Sequence, residues 1–199
     1  LPLLRSLLQG MGMTITIQRQ EIGGVEHANL IASGGADIAG GLLLGAHIDT
    51  VDPGDNDLWT ACDEEPLTAT VRGDRIYGLG TASGKLDWLA KAEAARRLAG
   101  RKLSRPLHIA ATFGEQLGLV GAKQLVDSGI IRAEFASVGE PTGLAVVYAN
   151  KGYISLKFRL RDLKGSQPAA GKALYRVNCH GVPAHSAIPA MGDNAILRA

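Results

Sequence analysis

The sequence has few cysteines, few aromatic residues and almost no excess of charge. Its two cysteines, Cys62 and Cys179, lie far apart, which disfavours a disulfide framework and favours a reducing cytoplasm. The formal net charge is +2 with scattered Lys and Arg, which argues against a nucleic-acid partner. There is no apolar run of the roughly 20 residues that a membrane span needs, and no signal peptide, so no membrane partner is expected.

The chain has 199 residues, of which 46% are hydrophobic, enough for one full core and a smaller second unit. It opens at Leu1 without a methionine and ends at Ala199, just as another helix is predicted to begin. We therefore expect a fragment of a longer protein.

Short apolar strands alternate with helical patterns, which predicts an α/β fold with a mixed sheet flanked by helices. The predicted strands are residues 14–17, 42–48, 107–112 and 135–138. Helices are predicted at residues 86–98 and 122–126, the first with an apolar stripe formed by Leu86, Leu89, Ala90, Ala94 and Leu98. The pattern changes after residue 150, so a domain boundary is predicted near Lys151.

The predicted strand at residues 42–48 runs directly into the pair His47 and Asp49. Residues two apart on a strand face the same side, so Asp49 is placed to accept a hydrogen bond from one ring nitrogen of His47. The other nitrogen is then free for a metal. The alternative, a histidine that caps the sheet edge before an aspartate turn, stays open from this segment alone.

Glycines crowd the segment from Tyr77 to Lys85, at a predicted junction between strand and helix. A phosphate-binding P-loop would need glycine at Leu79 and a hydroxyl residue at Leu86, and the dinucleotide fingerprint would need glycine at Ser83. A tight turn that brings a helix close to a sheet is the better interpretation, and a nucleotide-binding loop is the weaker alternative.

Five sequence blocks, in order, resemble a family of zinc-dependent metallopeptidases. This family includes aminoacylases, acetylornithine deacetylases, succinyl-diaminopimelate desuccinylases and glutamate carboxypeptidases. The matching segments are Gly45 to Gly54 with Trp59, Tyr77 to Lys85, Gly114 to Ala122, Gly139 to Thr142 with Lys151 and Gly152, and His185 to Ile196. The resemblance implies a catalytic metal-binding α/β domain at residues 1–151 and, at 152–199, the incomplete start of a smaller α+β lid and dimerisation domain.

The same resemblance implies a role for each matching residue. His47 and Glu140 become ligands of one metal, Asp49 orients His47, and Glu115 becomes the general base that activates the attacking water. His185, in the lid, would stabilise the developing oxyanion, often across a homodimer. A metal that polarises an amide carbonyl and a carboxylate that carries the proton suit amide hydrolysis.

Two positions depart from the family pattern. The family's bridging aspartate falls on Ser83, and a further glutamate ligand falls on Gln116, so neither supplies an anion. We therefore expect one zinc or cobalt ion at most. Asp87 is a poor substitute for the bridge, because it lies one helical turn, about 5 Å, further along the axis.

Two functions follow from these observations. The first is a metal-dependent hydrolase that cleaves the amide bond of N-acyl amino acids or small peptides, in the manner of acetylornithine deacetylase. The second is a catalytically inactive relative that acts as a binding or partner subunit, since Ser83 and Gln116 replace metal ligands.

Overall fold

A mixed sheet of five strands organises the first part of the chain. The computed structural model describes residues 2–149, 181–182 and 189–193. Its strands are β1 (Thr14–Ile22), β2 (Val25–Gly34), β3 (Leu42–His47), β4 (Thr70–Arg72), β5 (Arg75–Tyr77), β6 (Leu107–Thr112) and β7 (Phe135–Val138). The sheet has the order β1-β2-β6-β3-β7, and β4 pairs with β5 in a separate antiparallel hairpin.

Strand β3 is parallel to both of its neighbours, β6 and β7, whereas β2 is antiparallel to β1 and β6. Parallel strands need a crossover connection, usually a helix. The helices are α1 (Pro2–Leu8), α2 (Gly84–Arg96) and α3 (Val120–Asp127), so α2 connects β3 to β6 and α3 connects β6 to β7. Short 3-10 helices occur at Asn56–Leu58, Thr60–Cys62 and Pro189–Met191.

Apolar side chains are buried on both faces of the sheet, because successive strand residues point to opposite sides. Ile109 packs with Trp88 of α2 and Leu8 of α1 on one face. Ala110, the next residue, packs with Leu125 of α3 on the other. The predicted α/β fold with a mixed sheet between helices is therefore confirmed, and all helices in residues 2–149, 181–182 and 189–193 are too short or too polar to cross a membrane.

The predicted apolar stripe of α2 is wrong. The residues that α2 buries are Gly84, Trp88, Ala92 and Ala95. Leu86 and Leu89 are about half exposed, at 55% and 47%. Both faces of α2 carry apolar residues, so the hydrophobic period alone does not show which of them meets the sheet.

Strand β2 was not predicted from the sequence. It forms a hairpin with β1 through Gly23 and Gly24, which have φ of +59° and +80°. Glycine adopts such left-handed conformations at no steric cost, so the turn fits these residues. The polar Asn29 in its centre weakened the apolar pattern.

Asn29 is fully buried and joins three elements. Its side-chain amide donates to Gly121 O at 2.8 Å and to Gln18 Oε1 at 3.1 Å. Its side-chain oxygen accepts the main-chain N–H of Phe113 at 3.2 Å. A Cβ on Gly121 would lie 2.6 Å from Asn29 Oδ1, so glycine is required for this close approach. Asn29 therefore fixes both ends of the loop between β6 and α3.

Replacing Asn29 by alanine is expected to lower the free energy of unfolding by about 3 kcal/mol, since each buried group left without a partner costs about 1–3 kcal/mol. Gln18→Ala is the matched control and should cost less than about 1 kcal/mol, because Asn29 keeps its bond to Gly121. Urea denaturation followed by circular dichroism measures both. Equal losses in the two variants would contradict the role given to Asn29.

The chain divides into two compact units, Leu1–Ala149 and Asn150–Ala199. In the second unit, Val182 and Asp193 form an isolated antiparallel bridge. The lid predicted for residues 152–199 otherwise lies outside the described residues, so the lid assignment stays a prediction.

Candidate metal centre

The carboxyl ends of three neighbouring parallel strands bring the predicted site residues to one edge of the sheet. His47 is the last residue of β3, Glu115 follows the end of β6, and Glu140 follows the end of β7. Ligands of open α/β sheets bind outside the carboxyl ends of the strands, where the connections diverge. Here the connections diverge at β3, because the strands on its two sides, β6 and β7, both come later in the chain.

His47 is held in one tautomer. Its side chain is only 7% exposed, and Nδ1 lies 3.0 Å from the main-chain oxygen of Asp49. A carbonyl oxygen only accepts hydrogen bonds, so Nδ1 carries the proton and the lone pair of the neutral imidazole is on Nε2. The Asp49 carboxylate is further away, with Oδ1 at 3.5 Å from Nδ1. Asp49 thus contacts Nδ1 of His47 with its main-chain oxygen at hydrogen-bond distance and with its carboxylate at ion-pair distance.

Glu140 and Ser83 both face the free nitrogen of His47. Glu140 Oε1 lies 3.6 Å from Nε2, and Ser83 Oγ lies 3.5 Å from it. With bonds of about 2.0–2.2 Å and tetrahedral angles, two ligand atoms of one zinc ion stand about 3.4 Å apart. His47 and Glu140 therefore fit two neighbouring ligand positions of a single ion.

The Asp49 carboxylate holds the loop that carries Glu115. Its two oxygens accept the main-chain N–H groups of Glu115 and Gln116, at 3.2 Å and 3.1 Å. The side-chain amide of Gln116 donates to the Glu115 carboxylate. Asp49 consequently connects the end of β3 to the predicted general base.

Lys85 adds a positive charge near this carboxylate. Desolvation lowers the pKa of the Lys85 ammonium, and the Coulombic attraction of Asp49 opposes that shift by raising it.

Comparison with known proteins assigns the chain to a family. Residues 43–192 match the sequence profile of Peptidase family M20/M25/M40. The chain belongs to this family. An acetylornithine deacetylase from Photorhabdus laumondii is 40% identical over 173 residues, which cover 85% of this chain and 43% of that protein. The chain thus spans less than half the length of this relative.

Two solved structures share the fold. Human carnosine dipeptidase 1 is 19% identical with a TM-score of 0.52, over 70% of this chain and 32% of its own. An M20 family metallo-carboxypeptidase from Sulfolobus solfataricus is 19% identical with a TM-score of 0.52, over 69% of this chain and 30% of its own. At this identity the likeness shows the fold alone, and it confirms the predicted α/β architecture.

The two positions at which this M20 chain departs from the predicted ligand pattern lie in the same region. Ser83 offers a neutral hydroxyl beside His47, and Gln116 offers an amide beside Glu115. Within the described part of the chain, His, Cys, Asp and Glu form no group of three or more that could hold an ion. His47 and Glu140 are the two described residues that fit ligand positions of one ion.

The glycine-rich segment works here as a close turn. A Cβ on Gly84 would lie 2.2 Å from the main-chain oxygen of His47, so only glycine lets the start of α2 pack against the end of β3. This contact favours the turn interpretation over a nucleotide-binding loop, and it places Ser83 against His47. His185 lies outside the described residues, so its predicted role stays a prediction.

Sequence reasoning missed two polar residues that support this edge of the sheet. Asn29 anchors the loop before and after Glu115, and its only sequence signal is a polar residue inside an apolar strand. Lys91 of α2 donates to main-chain oxygens of both β3 and β7, at Gly45 and Ser137. The only sign of this role in the sequence is the position of the lysine in the middle of a predicted helix.

Proposed function

We propose that this chain is part of a metal-dependent amidohydrolase that cleaves the amide bond of N-acyl amino acids or small peptides, in the manner of acetylornithine deacetylase. The proposed metal is one zinc or cobalt ion held by His47 and Glu140. A cytoplasmic location and a homodimer formed through residues 152–199 belong to the same proposal.

The observation that carries the proposal is the 3.6 Å separation between His47 Nε2 and Glu140 Oε1. His47 ends β3 and Glu140 follows β7, and Nδ1 of His47 already contacts a carbonyl oxygen, so Nε2 is the ring nitrogen left for an ion. The relation to an acetylornithine deacetylase supports the choice of reaction.

The chain's own residues divide the proposed reaction between them. A divalent ion at His47 and Glu140 would polarise the substrate carbonyl and acidify water. Glu115 accepts a proton as water adds to the carbonyl carbon and delivers it to the amine nitrogen as the C–N bond breaks. Asp49 keeps Glu115 at the site by holding its main-chain N–H. The products are a carboxylic acid and a free amine.

A second candidate function is a catalytically inactive relative that acts as a binding or partner subunit. The observation in its favour is that a serine and a glutamine stand at two predicted ligand positions, where neither can supply a negative charge. A neutral oxygen is a weaker ligand than a carboxylate for a divalent cation.

One experiment separates the two candidates. The protein is loaded with Zn²⁺ or Co²⁺, its metal content is measured by plasma emission spectrometry, and hydrolysis of N-acetyl amino acids including N-acetylornithine is followed by amine release. We expect about one ion per chain and measurable hydrolysis, both lost in His47→Gln and retained in the control His108→Gln. Bound metal without hydrolysis would favour the inactive relative, and absence of both would overturn the proposed function.

A further inference from the structure

Lys91 is a largely buried cation that binds two strands at once. Its side chain is 12% exposed. Nζ donates to Gly45 O of β3 at 2.9 Å and to Ser137 O of β7 at 3.1 Å. His47 lies two residues beyond Gly45, and Glu140 lies three residues beyond Ser137. One ammonium group thus connects the two strands that carry the proposed ligands.

Asp87, one turn earlier on α2, supplies the counter-charge. Its Oδ2 lies 2.6 Å from Lys91 Nζ, as an ion pair without hydrogen-bond geometry. This ion pair is a second argument against Asp87 as a substitute for the bridging aspartate expected at position 83, because the Asp87 carboxylate already pairs with Lys91. A buried ammonium without such a partner would carry a desolvation cost of several kcal/mol.

The Asp87 carboxylate also contacts the segment that carries Glu140. A Cβ on Gly139 would lie 1.7 Å from Asp87 Oδ2, so the carboxylate occupies the space that any other residue's side chain would need. The Gly139 N–H donates to Gly45 O at 2.9 Å, the same oxygen that accepts from Lys91. Lys91, Asp87 and Gly139 therefore meet at one point between β3 and β7.

We propose that Asp87 and Lys91 are positioning residues that fix the carboxyl ends of β3 and β7 against each other and so set the separation between His47 and Glu140. This inference rests on the proposed function, because the pair can position metal ligands only if His47 and Glu140 bind an ion. Loss of the Lys91 charge removes its hydrogen bond to Ser137 O and one of the two hydrogen bonds to Gly45 O, and it leaves the Asp87 carboxylate unpaired beside Gly139. The Gly139 segment, with Glu140, then moves relative to His47.

The test uses Lys91→Met, which keeps an unbranched side chain of nearly the same length and removes the charge, and Asp87→Asn, which keeps the shape and removes the counter-charge. Lys123→Met is the matched control, because Lys123 forms the same type of pair with Asp127 four residues later, on the surface of α3. Amide hydrogen exchange at Gly139 is measured in metal-free protein. Binding of Co²⁺ and its visible absorption spectrum are measured in a separate titration.

We expect Gly139 exchange to become at least about tenfold faster in Lys91→Met and in Asp87→Asn. Co²⁺ binding should weaken by at least about tenfold, a typical effect of removing a residue that supports a ligand, and the absorption spectrum should change with the altered coordination. The control Lys123→Met should match the unmodified protein in all three measurements.

Unchanged exchange at Gly139 would overturn the inference. So would faster exchange together with unaltered Co²⁺ affinity and spectrum, because the pair would then stabilise the strands without positioning the ligands. If the unmodified protein binds no Co²⁺, the proposed function fails instead, and Gly139 exchange still decides whether the pair joins β3 to β7. Should Lys91→Met fail to fold, Asp87→Asn decides the outcome.

Discussion

Glu115→Ala is expected to reduce kcat by about 1,000-fold, within the range of about 100- to 10,000-fold that general acid–base catalysis contributes. Zinc content should stay unchanged, because the proposed ligands are His47 and Glu140. The physical reason is that the loop at residues 113–119, which Asp49 holds through main-chain N–H groups, carries no carboxylate other than Glu115. Single-turnover kinetics of N-acetyl amino acid hydrolysis, with metal analysis of the same samples, measures the effect.

Glu21→Ala is the matched control, since Glu21 is exposed on the edge strand β1 and should leave kcat unchanged. Loss of zinc in Glu115→Ala would make Glu115 a ligand and contradict its assignment as the base. A fall in rate of less than tenfold would show that another group carries the proton.

Restoring the family residues in Ser83→Asp/Gln116→Glu is expected to strengthen Zn²⁺ binding by at least about 100-fold. Even residues that only support a ligand are worth about 10- to 100-fold in metal affinity, and this change adds two carboxylates. Ser83 Oγ already lies 3.5 Å from His47 Nε2, so a carboxylate at position 83 would lie close to the nitrogen with which it would share the ion. Isothermal titration calorimetry measures the affinity.

The control for this experiment is Ser83→Asn/Gln116→Gly, which changes both side chains without adding charge and should not strengthen binding. The argument from charge would fail if the double carboxylate variant bound Zn²⁺ no better than the unmodified protein. The pocket at this edge of the sheet would then differ from the family's in shape as well as in charge.

Several elements could be predicted from local sequence because their signals are local. Strands β6 and β7 have the predicted bounds, and α2 begins within two residues of the expected position. Hydrophobic period and glycine turns act over a few residues, so they can be recognised without knowing what packs against them.

The misses came from contacts between distant residues. Strand β2 has a polar centre, and Asn29 suits it only because Gly121 and Phe113, more than 80 positions later, supply its partners. The face that α2 buries depends on the sheet against which it packs, and the order of residues within a helix carries no information about that sheet. The carboxylate of Asp49 was predicted only to orient His47, and it also accepts the main-chain N–H groups of Glu115 and Gln116, whose loop is brought there by the pairing of β3 with β6.

The amino-acid sequence by itself determined the family, the α/β class and the chemical identity of the candidate site, with an imidazole and carboxylates present and anions missing at Ser83 and Gln116. Those properties belong to individual side chains and to their order along the chain. Only the tertiary structure decided which atoms face each other: the free Nε2 of His47 beside Glu140, and Lys91 joining the strands that carry them. Such separations of a few ångström are set by packing between elements, which no local pattern encodes.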